Sequence, residues 1–76
     1  MRLLGVFIHV AKDGGYIFKS KIKKPEKVVG EKVYDKDMRV VGRVVDLMGS
    51  TKAPYLKVKM KRSISEVYVR GWRNNG

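Results

Sequence analysis

Tyr55-Leu56-Lys57-Val58-Lys59-Met60-Lys61 alternates apolar and cationic side chains at a period of two. Successive side chains of an extended chain point to opposite faces, so Leu56, Val58 and Met60 share one face while Lys57, Lys59 and Lys61 share the other. The stretch reads as a half-buried strand, and the chain on either side repeats the pattern. Tyr16-Ile17-Phe18-Lys19-Ser20-Lys21-Ile22 puts Tyr16, Phe18 and Ile22 on one face and mostly lysines on the other. It follows Lys12-Asp13-Gly14-Gly15, whose glycines permit the positive φ values of a tight hairpin, so the first two strands are expected to pair antiparallel.

Further along, Arg39-Val40-Val41-Gly42-Arg43-Val44-Val45-Asp46-Leu47-Met48 is β-branched and nearly continuous in apolar character, which predicts a long strand covered on both faces for part of its length. Gly42 within it marks a bulge or a barrel corner. Pro25 and Gly30 bound an irregular link, Val33-Tyr34 begins a short strand, and Asp35-Lys36-Asp37-Met38 forms a turn. Gly49-Ser50-Thr51-Lys52-Ala53-Pro54 is a loop, and Glu66-Val67-Tyr68-Val69-Arg70 is a last strand before a loose tail at residues 74–76. No ten-residue segment carries a helical stripe. Short strands at this spacing predict one all-β domain over residues 1–73, an antiparallel barrel of about six strands, because closure removes the free edges that otherwise aggregate.

The chain has 76 residues, with 18 Lys+Arg against 7 Asp+Glu, a net charge of +11 and no cysteine. A body this small recovers only about 60% of its unfolded surface on folding, which disfavours an enzyme with a large preorganised cavity and favours a binding module. Without cysteine there is neither a disulfide framework nor a thiolate metal site. Lys or Arg interrupts every apolar run before the roughly 20 residues a bilayer needs. The opening, Met1 to Val10, has no small-residue cleavage site, so a cytoplasmic location is expected. The charge makes nucleic acid or a ribonucleoprotein the first partner to weigh, against the plainer reading of a solvated lysine surface.

Candidate chemistry is sparse. His9, the only histidine, stands in the first strand without partners for a metal or a general base and reads as a structural or surface residue. Asp13, Asp35 and Asp37 lie in turns, where a carboxylate ordinarily accepts from nearby backbone amides. Asp46, inside an apolar run, is expected to accept from the amides of the Gly49 loop, or else to pair with a partner's cation. Tyr16 and Phe18 read as core; Tyr34, Tyr55, Tyr68 and Trp72 are the rings left for the surface, too scattered for a stacking platform. The 48–55 loop joins an apolar strand end, a permissive glycine and a rigid Ala53-Pro54-Tyr55 kink at one end of the barrel. It reads either as a docking patch for a larger protein or as a loop folded back over the barrel end.

Gly30-Glu31-Lys32-Val33-Tyr34-Asp35, Val41-Gly42-Arg43-Val44-Val45-Asp46-Leu47-Met48-Gly49 and Pro54-Tyr55-Leu56-Lys57-Val58-Lys59 together resemble the core of the Gar-one family, the small basic subunit of H/ACA guide-RNA ribonucleoproteins. The likeness spans about residues 4–70. It implies a six-stranded barrel similar to the barrel domain of translation factors, bound to the catalytic domain of a dyskerin-like pseudouridine synthase. It also implies no catalytic residue, no cofactor and little or no direct contact with the guide RNA. The subunit's expected part in pseudouridylation, and so in rRNA processing and ribosome biogenesis, is to influence a mobile loop of the synthase that holds or releases substrate RNA. Other H/ACA proteins and the guide and substrate RNAs are then reached through the complex, with no membrane and no small-molecule substrate. Eukaryotic members carry Gly/Arg-rich tails and work in the nucleolus; this chain shows no such tail and resembles the archaeal form. Where members commonly carry Phe-Gly-Pro-Val, this chain reads Met48-Gly49-Ser50-Thr51, so the first proline of the family's loop is missing.

The docking surface expected from these readings comprises Val44, Val45, Met48, Gly49, Ala53, Pro54, Tyr55 and Leu56. Lys57, Lys59 and Arg62 are expected to face solvent or RNA nearby, with no catalytic, cofactor or metal residue anywhere. The other function classes that fit are a stand-alone RNA-binding barrel and a ribosome-associated protein.

Overall fold

Six antiparallel strands close into a barrel in the computed structural model, which describes residues 2–50 and 52–70. Thr51, Trp72 and the tail expected at residues 74–76 lie outside the described residues. The strands are β1 (Arg2–Val10), β2 (Tyr16–Ser20), β3 (Lys32–Tyr34), β4 (Val40–Gly49), β5 (Pro54–Met60) and β6 (Glu66–Val69). Around the ring they run β1-β2-β5-β4-β3-β6 and back to β1. A single 3-10 turn at Pro25–Val28 turns Val28 into the core. The residues after it return to the wall, Gly30 N donating to Val44 O at 2.8 Å and Val44 N to Glu31 O at 3.0 Å.

The alternating pattern of β5 is realised: Leu56 and Val58 are fully buried. They meet Leu4, Phe18, Val33, Val44 and Val67 inside, with the Phe7 ring edge-on to Phe18 at 5.8 Å. Fully burying an aliphatic or aromatic side chain gives about 1.5–3 kcal/mol, so this cluster outweighs any surface ion pair. The second strand ends earlier than its alternation suggests. At Ser20 the hydroxyl accepts from Ile22 N at 3.2 Å and donates to Ile22 O at 3.0 Å, a local bonding that takes the place of the ladder. Ile17 is buried too, although it stands outside the core cluster; the register places it opposite Lys57, whose aliphatic stem can lie against it.

Four register shifts among the described residues leave Leu4, Ile8, Val41 and Val45 as extra residues in their strands. Bulges sharpen the local bend, which is what turns six short strands into a closed wall. Gly42 sits beside one of them. A Cβ there would lie 2.3 Å from Lys59 O and 3.0 Å from Met60 Cα, so β4 and β5 approach more closely than a side chain allows. The expectation that β4 is covered on both faces is corrected: Val40 and Val45 are exposed. A barrel wall one sheet thick has a single dry side, and within this chain nothing among the described residues lies over the outside of β4 at those positions.

Gly42→Ala is expected to lower stability by about 1–3 kcal/mol, because the clashing atoms are backbone and must move. A urea titration reads it as a lower midpoint at unchanged slope; an unchanged midpoint would show that the two strands part there freely.

Candidate functional site

The 48–55 loop is a hairpin connection between β4 and β5, with Met48 opposite Tyr55 and Gly49 opposite Pro54. Gly49 takes φ 91°, and a Cβ on it would meet Ala53 O at 2.6 Å, so glycine is required by both conformation and space. Ala53 N donates to Ser50 O at 3.2 Å and to Ser50 Oγ at 3.1 Å, which ties the loop without the missing proline. The bulge at Val45 breaks the alternation, so Val45 and Asp46 are both exposed on the outside of β4.

Of the expected docking residues, Val45 is 46% and Met48 37% exposed, Gly49 is exposed, and Ala53, Pro54 and Tyr55 are half-buried. Tyr55 stands opposite Met48 and Pro54 opposite Gly49 where the hairpin closes. Val44 and Leu56 do not stand with them. Both are fully buried, their side chains turned into the core beneath the rim, so they support the surface but cannot touch a partner. Alternation alone separates Leu56 from Tyr55 and Val44 from Val45; the bulge is what turns Asp46 and Met48 outward as well.

The three residues of the expected cationic face differ in placement: Lys59 and Arg62 are exposed, Lys57 is not. Lys57 is half-buried and pairs with Asp13. Arg62 pairs with Asp35 at 2.9 Å through Nη2. Both charges are thus answered within the chain, and of the three expected RNA-proximal residues only Lys59 stands exposed with its charge unspent among the described residues. The reading along one strand missed that Lys59 lies opposite Arg43, and Arg43 opposite Lys32. It also missed a cleft of about 590 Å³ lined by Lys27, Lys32, Arg43, Arg70 and the half-buried Tyr34. These residues are far apart in sequence, and strand register is what joins them. Tyr55 and Tyr68, two more of the rings left for the surface, are also half-buried.

The acids do structural work. Asp35 is only 7% exposed, and its Oδ1 accepts from Asp37 N at 2.8 Å and Arg39 N at 3.0 Å. These bonds hold the turn in which Met38 adopts φ 69°, a conformation unfavourable for a side chain of that size. The Arg39 amide first, then the Asp37 amide and the Arg62 guanidinium, hold the Asp35 carboxyl below the usual carboxylate range against the opposing pull of burial. Asp13 is likewise lowered, by its bond to the Lys57 ammonium and then by Gly15 N at 3.0 Å. Asp46 departs from expectation: turned outward by the bulge, it accepts from Leu47 N at 2.8 Å rather than from the Gly49 loop. His9 is exposed, its Nδ1 3.3 Å from Val10 O. Among the described residues no group of three or more His, Asp or Glu is placed to hold a metal, and no helix is long and apolar enough to cross a membrane.

A carboxyl whose folded pKa is depressed stabilises the fold above its unfolded pKa, about 3.9 for Asp, and that contribution is lost as pH falls through the folded value. Asp35→Asn is therefore expected to lower Tm near neutral pH, with the deficit shrinking as both proteins are acidified below the unfolded value and through the lower folded one. Thermal melts across that range check it; a deficit of the same size in acid would mean that the charge of Asp35 is not what holds the turn.

No family model matches the chain. It is 32% identical over 65 residues to an uncharacterized protein of Methanothermobacter thermautotrophicus, an alignment that covers 86% of this chain and 67% of the relative. At that identity and coverage the chain belongs to the same protein family as this archaeal relative.

Proposed function

We propose that the chain is a non-catalytic accessory subunit of an archaeal-type H/ACA guide-RNA ribonucleoprotein, docking on the catalytic domain of a dyskerin-like pseudouridine synthase and aiding turnover of substrate RNA. The resemblance of its sequence to the Gar-one family motivates the partner. The observation that carries the docking role is the outward apolar surface of the β4–β5 hairpin, Val45 and Met48 beside Pro54 and Tyr55, on a chain of net charge +11. Val45 and Met48, each less than half exposed, gain about 1 kcal/mol apiece when covered, and Tyr and Met are residue types favoured in such contacts.

A small barrel that supplies no reacting group accelerates a reaction through differential contact. It binds one conformation of the enzyme more tightly than another, and so shifts the population of the loop that gates release. Covering the Met48–Tyr55 end of the β4–β5 hairpin is the contact through which this barrel acts. The fully buried Val44 and Leu56 keep that surface rigid, so ordering it on binding costs little entropy.

Val45→Glu puts a charge on an exposed position and is expected to leave stability within about 0.5 kcal/mol of the parent. The same variant, and Tyr55→Ala, lose co-purification with the synthase. If both variants assemble as the parent does, the hairpin is not the dock. With the assembled complex, the subunit is expected to raise multiple-turnover pseudouridylation well above its effect on the single-turnover rate. Equal stimulation of the two would exclude action at release. A stand-alone RNA-binding barrel would leave synthase binding absent in every variant.

A further inference from the structure

Lys32, Arg43 and Lys59 stand side by side across β3, β4 and β5, all three exposed. Adjacent strands lie about 5 Å apart, and like charges directly opposite one another destabilise a sheet. Among the described residues no acid pairs with this row: Asp13 and Asp35 are spent on Lys57 and Arg62. The row runs into the cleft of about 590 Å³ where Lys27 and Arg70 join it, with Glu31 the one acid in the lining. Arg43 donates through Nη1 to Gly30 O at 3.0 Å, which fixes its guanidinium at the cleft and leaves its other N–H groups unused among the described residues. Tyr34 stands in the wall of the same cleft, half-buried.

We propose that this cleft and the Lys32-Arg43-Lys59 row form a track for single-stranded RNA, with phosphates on the cations and one base against the Tyr34 ring. Cations answer any polyanion, but a ring among them selects one with flat bases, since stacking works for every base and for no carboxylate. A duplex has no free base to offer it. Arg suits the site because its planar fork pairs phosphate oxygens two at a time, and here its orientation is already set. The proposal does not rest on the docking role of the hairpin. Arg43 and Lys59 face each other on β4 and β5 several residues from the Met48–Tyr55 end of the hairpin, and apart from Arg43 the cleft lining comes from residues 27–34 and from β6 with Arg70.

The test uses the full chain and a fluorescein-labelled single-stranded RNA of mixed sequence, about ten nucleotides long, followed by anisotropy over a salt series. Lys32→Ala and Arg43→Ala are each expected to weaken binding several-fold and to flatten the slope of log K against log salt by about 0.7. Tyr34→Leu weakens it about fivefold or more without changing the slope. Lys57→Ala, its charge already matched by Asp13, binds as the parent does. Lys32→Ala also melts no lower than the parent, since it relieves a repulsion, and it still co-purifies with any partner of the hairpin, so loss of the track and loss of the dock are read separately. The proposal is overturned if the parent fails to bind at low salt, if the Lys32, Arg43 and Tyr34 variants bind unchanged, or if duplex RNA or polyglutamate binds as tightly as the single strand.

Discussion

A closed wall one sheet thick has room for apolar side chains on its inner side alone, and this constraint governs both the interior and the surface of the protein. Leu4, Phe18, Val33, Val41, Val44, Leu56, Val58, Val67 and Val69 from the strands lie in the interior. Val45 and Met48 stand on the other side of the wall. The extra residues at Leu4, Ile8, Val41 and Val45 let the wall bend tightly enough to close. One of them, Val45, at the same time carries an apolar side chain to the outside next to the 48–55 hairpin.

Charge is distributed by the same geometry. The strands alternate, so their lysines and arginines fall on the outside, and register decides which of them become neighbours. Lys57 reaches Asp13 across the β2–β5 side, and Arg62 reaches the carboxylate that already organises the Asp35 turn. Both pairs turn cations into local fasteners, of more use for positioning than for stability at an exposed surface. Lys32, Arg43 and Lys59 meet with no ion pair among the described residues, and so concentrate positive potential in one place on a chain whose net charge alone says nothing of location. Apolar hairpin and cationic row are therefore separate surfaces of one barrel, suited to partners of different chemistry.

Period-two alternation in residues 55–61, the glycines before Tyr16, the turn residues at 35–38 and the absence of a helical stripe were enough to read an all-β barrel of six strands, because strand direction and side-chain facing are local properties of the backbone. The same residues made Asp35 a turn acceptor, whereas Leu56, expected in the docking surface, is sealed in the core. What they left open was every property that depends on two strands at once. In an unbroken strand that turns Val44 into the core, Asp46 and Met48 would face inward too, yet both are exposed, because the register of β4 on β5 slips between Val44 and Asp46. Lys57 and Lys59 share a face of one strand, yet one faces an acid and the other an arginine. The sequence by itself determined the class of fold, the inward face of each regular strand and the sign of the surface charge. Only the tertiary structure decided where the wall bulges and which cations lie together, since those follow from pairing between distant segments and a single extra residue reverses the facing of all that comes after it.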